Sequence, residues 1–197
     1  PQNNTEAALS VSPAVTTHAA AIDTDYFSTV DDRFEADNRT GATFLGVSQY
    51  TSGVFYRTVT VDKQQLRDSW SAFGDAESRD NLAELIRSII YGQPRGKEHG
   101  TAPYILPSLV LAEEQRYRAA YDFETPVIAT GQGGYLKATI DSLADQYSRA
   151  RAFDAANFGP VQALSGTFED LDGKFGSLHP VQLSDLIETV VEWIYDD

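Results

Sequence analysis

The sequence predicts an α+β fold, and three observations lead there. Segments rich in β-branched and aromatic residues occupy the first third of the chain, amphipathic helical repeats dominate the rest, and a few apolar strand-like runs lie between those helices. Strands first, then helices interleaved with strands, argues against a bundle or a sandwich. Of the 197 residues 42% are apolar, including 10 Tyr, 10 Phe and 2 Trp, which is enough for a sizeable core and excludes wholesale disorder. The apolar runs are only a few residues long, too short for a membrane span.

Residues 1–12, PQNNTEAALSVS, read as a polar segment with no cationic n-region, apolar h-region or cleavage site, so no secretory signal is expected in them. Pro13 to Val30, PAVTTHAAAIDTDYFSTV, has no good helix former except Ala and is expected to be extended. The charged stretch Asp31 to Gly41 separates it from ATFLGVSQY and GVFYRTVTV, which predicts a hairpin-like excursion over 13–52 with a bend or bulge at Gly53. The remainder, 53–197, is expected to hold the rest of the sheet and the helices. Asp62 is a good N-cap for a short helix with Leu66 and Trp70. Leu82, Leu85, Ile86, Ile89 and Ile90 predict a second helix, capped by Ser78 or Asp75 and stopped by Gly92 and Pro94. After the polar loop RGKEHG, YILPSLVLA reads as a buried strand with Pro107 at its start or at a bulge. Leu136, Ile140, Leu143 and Tyr147 mark a helix within 134–153, and Val161 to Phe168 a strand. The last helix is expected from Pro180, burying Leu183, Leu186, Ile187, Val190 and Ile194.

Charge and composition exclude several chemistries. With 15 Lys plus Arg against 29 Asp plus Glu the formal net charge is −14, which by itself opposes nucleic-acid binding, since that affinity usually comes from cations displacing counterions. There is no Cys, hence no disulfide and no thiolate chemistry, and no Met. His18, His99 and His179 show no metal-ligand spacing, so no metal site is expected. His18 is read as a packed or hydrogen-bonded residue on a strand. No GxSxG elbow is present. Asp31 and Asp32 would point to opposite faces of an extended chain, which favours a solvated loop over an acid–base dyad. GQGGY precedes a helix but satisfies neither phosphate-loop pattern and reads as a turn. The aromatic strands between residues 15 and 60 are the most informative stretch, because rings on a sheet are either core or platforms for nucleic-acid bases. Residues 1–62 hold Arg33, Arg39 and Arg57 against eight carboxylates, so any such contact must work by apolar wedging, with phosphate neutralised elsewhere.

TTHAAAIDTDYFSTVDD followed by GATFLGVSQYTSGVFYRTVTV resembles the CasC-type backbone subunits of the type I-E CRISPR Cascade complex, members of the RAMP superfamily. The order and spacing of TTH, an aromatic-Phe pair, VDD, an acidic loop, G-A-x-x-L-G and SGVFYR carry the resemblance. The resemblance implies subunits about twice this long, with this chain corresponding to the carboxy-terminal half, to which the missing Met is consistent.

The same resemblance implies a partial RRM-like (ferredoxin-like) palm with a β-hairpin thumb and helices packed on the sheet, copies stacking as a helical filament along crRNA in antiviral defence. The thumb would wedge between guide bases, leaving the others to pair with target DNA. Carried over by position, the RNA-contacting residues are Tyr26, Phe27, Ser28, Val30 and Leu45, with Arg57 as a phosphate contact from the palm. The implied partners are crRNA, target DNA through that RNA, further copies of the chain and other Cascade subunits. No catalytic residue, cofactor, metal or membrane is expected, and the location implied is cytoplasmic. Two other readings stay open at this level: an acid-dependent hydrolase using paired carboxylates, and an acidic protein-interaction module without RNA.

Overall fold

The computed structural model describes residues 6–29, 44–92, 99 and 104–196. The α+β expectation holds: small antiparallel sheets and four α-helices are present among the described residues. Val30, the excursion 31–41 with its Asp31-Asp32 pair, Pro94 and most of the RGKEHG loop lie outside those residues. The chain divides into two compact units.

One unit comprises Ala14–Tyr56 and Phe123–Thr139. It contains β2 (Val15–Thr16) paired with β5 (Phe55–Tyr56), and β3 (Asp23–Thr29) paired with β4 (Phe44–Tyr50), both antiparallel. The β3–β4 register sets Tyr26 opposite Val47, Phe27 opposite Gly46 and Ser28 opposite Leu45. GQGG closes a turn: the Gly133 N–H donates to the Thr130 carbonyl (2.8 Å), and the Thr130 N–H to the Gly134 carbonyl (3.1 Å). Those amides are spent on the turn, in keeping with the turn reading of this segment.

The other unit comprises Pro1–Pro13, Arg57–Asp122 and Ile140–Asp197. Leu9–Val11, within the segment read as polar, forms β1 and pairs antiparallel with β6 (Val59–Val61). Helix α1 (Lys63–Ser69) starts as expected, the Asp62 carboxylate accepting from the Gln65 N–H (3.0 Å). α2 (Ser78–Tyr91) and α4 (Leu183–Tyr195) form the core by packing Leu82 and Ile86 against Ile187, Val191 and Ile194. Burial of each such side chain contributes roughly 1.5–3 kcal/mol. Cations of α1 satisfy the last carbonyls of α4: Arg67 donates to Ile194 O (Nη2 at 2.9 Å), and Lys63 to Trp193 O (3.3 Å). β7 (Val110–Gln115) and β8 (Phe158–Ser165) pair antiparallel, and α3 (Leu136–Phe153) contributes Ile140, Leu143 and Tyr147 to the buried set.

α4 begins three residues later than the sequence predicts. Pro180 forms a parallel bridge with Leu164, and the Val181 N–H donates to the Leu164 carbonyl (2.8 Å), so the strand contact holds the proline out of the helix.

Candidate nucleic-acid interface

Four of the six sequence-derived residues, Tyr26, Phe27, Ser28 and Leu45, fall on the β3–β4 hairpin, Val30 lies outside the described residues, and the register decides which of the four act together. Cross-strand partners share a face and alternate residues switch faces. One face therefore presents Tyr26 and Ser28 with Leu45 and Val47, and the other presents Asp25 and Phe27 with Gly46 and Ser48. Tyr26, Leu45 and Val47 are 69%, 67% and 55% exposed, and Ser28 is also exposed. Phe27, at 44%, lies with its ring across Gly46: a Cβ there would sit 2.2 Å from the Phe27 Cζ. The aromatic-Phe pair thus splits, with Tyr26 joining the open apolar face and Phe27 covering the glycine behind it. Val47 belongs with Tyr26 and Leu45, and its only signal in the sequence is its place two residues beyond Leu45.

A two-stranded ribbon alone is marginally stable, so what anchors it matters. The anchor joins the two ends of the hairpin text. The Val54 N–H donates to His18 Nε2 (3.1 Å), and His18 Nδ1–H donates to the Ala19 carbonyl (2.9 Å), which fixes a neutral imidazole with its proton on Nδ1. The ring stacks on Tyr135 at 3.8 Å between centroids, 11° from parallel. Gly53 is required beside it, since a Cβ there would lie 2.4 Å from His18 Nε2. Thr17, fully buried, exchanges a 2.7 Å hydroxyl hydrogen bond with Thr139, and its N–H donates to the Val54 carbonyl (3.0 Å). TTH and SGV are therefore two halves of one latch, and His18 has the packed, hydrogen-bonded role expected of it.

Arg57 lies in the other unit, where its Nη2 donates to the Ile89 carbonyl (2.9 Å) in the last turn of α2. That unit also contains a tight polar cluster. Arg151 pairs with Glu113 (2.7 Å) and lies over the Tyr147 ring (3.4 Å), and the Tyr121 hydroxyl donates to Glu113 (2.9 Å). Burial, then the Glu113 carboxylate, pushes the Tyr121 hydroxyl pKa well above its ordinary value. Burial also raises that of Tyr147, whose hydroxyl donates to Gln162 (2.7 Å). These groups satisfy one another, and the cluster serves the packing of β7, β8 and α3. Among the described residues no group of His, Asp and Glu could hold a metal ion, and no helix is long and apolar enough to cross a membrane.

A family model described as CT1975-like protein matches residues 1–193. The chain belongs to the CT1975-like family. None of the curated proteins compared with this CT1975-like chain matches it. Solved structures are also similar to it, among them the following two. One, titled CRISPR RNA-guided surveillance complex, is 25% identical with a TM-score of 0.80, the match covering 99% of this chain and 74% of the other. A second, titled CRISPR RNA-guided surveillance complex, pre-nicking, is 25% identical with a TM-score of 0.79, covering 99% of this chain and 52% of the other. The CT1975-like chain thus shares its fold with chains of such complexes.

Proposed function

We propose that this CT1975-like chain is a non-enzymatic, guide-RNA-binding backbone subunit of the CasC type, in a type I-E CRISPR surveillance complex. The observation that supports this most is the open apolar face of the hairpin, Tyr26, Leu45 and Val47, projecting from a buried latch. Such a face suits insertion beside an unstacked base, where ring–base stacking contributes about 1–3 kcal/mol. The hairpin's described residues carry Asp23 and Asp25 and no Lys or Arg, so its contribution is apolar rather than ionic. Ser28, on the same face, offers a hydroxyl for the RNA backbone, and Phe27 supports the ribbon from behind. Val30 completes the set by position, Arg57 is retained as the phosphate contact, and copies of the chain would stack along crRNA with other subunits while target DNA pairs with the guide.

The test is retention of guide RNA by the full-length protein. The double variant Tyr26→Ala/Leu45→Ala is expected to loosen RNA about tenfold or more, in line with the loss of stacking from the ribbon, with an unchanged unfolding curve. Normal RNA retention by that folded variant would remove the hairpin from the interface.

A further inference from the structure

The described residues of the hairpin carry no cation, and the unit that holds Arg57 carries a further cationic feature. We infer that the turn after β7, Arg116, Tyr117 and Arg118, is a second contact for single-stranded nucleic acid, the arginines on phosphates and the ring on a base. The inference rests on the RNA-binding reading above.

All three residues are exposed, Tyr117 at 65%, and the Arg116 guanidinium lies 5.4 Å from the centre of the Tyr117 ring. Their backbone is held rigidly. Buried Asn157 accepts from the Tyr117 N–H (2.7 Å) and donates to the Tyr117 carbonyl (3.1 Å). The Arg116 N–H donates to the Asn157 carbonyl (2.8 Å), and the Ala119 N–H to Gln115 Oε1 (2.8 Å). A buried amide committed to the backbone of an exposed turn presents its side chains with little ordering left for a ligand to impose.

The neighbouring carboxylates are committed elsewhere. Glu113 is taken by Arg151 and Tyr121, and Glu114 accepts from the Val161 N–H (3.4 Å). Arg118 reaches Asp62 at 3.6 Å, but the two side chains are 60% and 44% exposed and the other Asp62 oxygen caps α1, so that pair is weak. Among the described residues Arg116 has no carboxylate within ion-pair distance. Two guanidiniums flanking an aromatic ring, in a chain of net charge −14, form a local exception to its repulsion of polyanions. Guanidinium forks match phosphate oxygens, and an exposed ring with a cation over it stacks on any base.

The experiment titrates the 197-residue chain with a fluorescein-labelled unstructured RNA oligonucleotide by anisotropy at several salt concentrations. Arg116→Ala/Arg118→Ala is expected to lower the log–log salt slope by about 1.4, two phosphates at about 0.7 each. Tyr117→Ala is expected to weaken binding about fivefold or more at an unchanged slope. An unchanged slope in a folded double-arginine variant that still binds RNA overturns this contact and leaves the hairpin reading standing. Absence of RNA binding by the parent chain overturns both. If the arginine variant instead shifts the sedimentation of the chain without RNA, the turn is a protein contact and the inference falls.

Discussion

Within one unit, the latch and the hairpin it anchors solve opposite problems with adjoining residues of the same sequence. In the latch the buried polar side chains are paired: His18 uses both ring nitrogens, Thr17 meets Thr139, and Gly53 clears space for the imidazole. On the hairpin, Tyr26, Leu45 and Val47 lie open, although they are the side chains that burial would reward most. An arrangement that satisfies its polar groups and exposes its apolar ones is pinned at the latch and leaves its unmet surface on the ribbon face. Under the proposed RNA-binding reading, signature residues in one motif would therefore have two different jobs, holding and contacting.

Mutations should separate these jobs, and urea unfolding of the chain is the readout. The largest expected effect is from His18→Ala, which strands the Val54 N–H, removes the stack on Tyr135 and leaves a void; the loss should be about 3 kcal/mol. A loss below about 1 kcal/mol would show that the latch does not hold the unit. Next comes Gly53→Ala, whose methyl must displace the imidazole, at about 2 kcal/mol. Thr17→Val should cost about 1–2 kcal/mol by leaving the Thr139 hydroxyl unpaired in the interior. Adding Thr139→Val should recover most of that loss, and additive losses in the double variant would exclude a pairwise hydroxyl contact. The smallest effect belongs to the open ribbon face: Tyr26→Ala/Leu45→Ala should change stability by no more than about 0.5 kcal/mol. A large destabilisation there would erase the contrast by making that face part of the core.

Local chemistry made much of the fold legible. Asp62 caps α1 as its side chain predicts, and the helical spacing of Leu82 and Ile86 or Leu186 and Ile187 located the two helices that share a core. Where prediction and structure part, a distant partner intervened. Leu85 is 45% exposed, although it fits the apolar repeat, because α2 buries a narrower stripe than its sequence offers. β8 runs Phe158–Ser165 rather than from Val161 because its pairing with β7 sets its limits. The latch shows the same limitation. His18 reads as a packed residue, but Val54 lies 36 positions away and Thr139 lies 122 from Thr17, and no local pattern connects them. At the candidate interface the aromatic residues were visible and their facing was not, since one register fixes which side each takes. The Arg-Tyr-Arg turn had a signal in the sequence, two cations around an aromatic in an acidic chain, but its rigid presentation comes from Asn157, 40 positions along.

Asp23 and Asp25 share the side of the ribbon on which Phe27 lies, and both are exposed. A second ribbon adding its own β3 in parallel register along β3 would bring these carboxylates beside their own copies, and like charges across a strand pair repel. The two aspartates therefore oppose that pairing, a charge placed where a ribbon with an open apolar face would otherwise find a copy of itself.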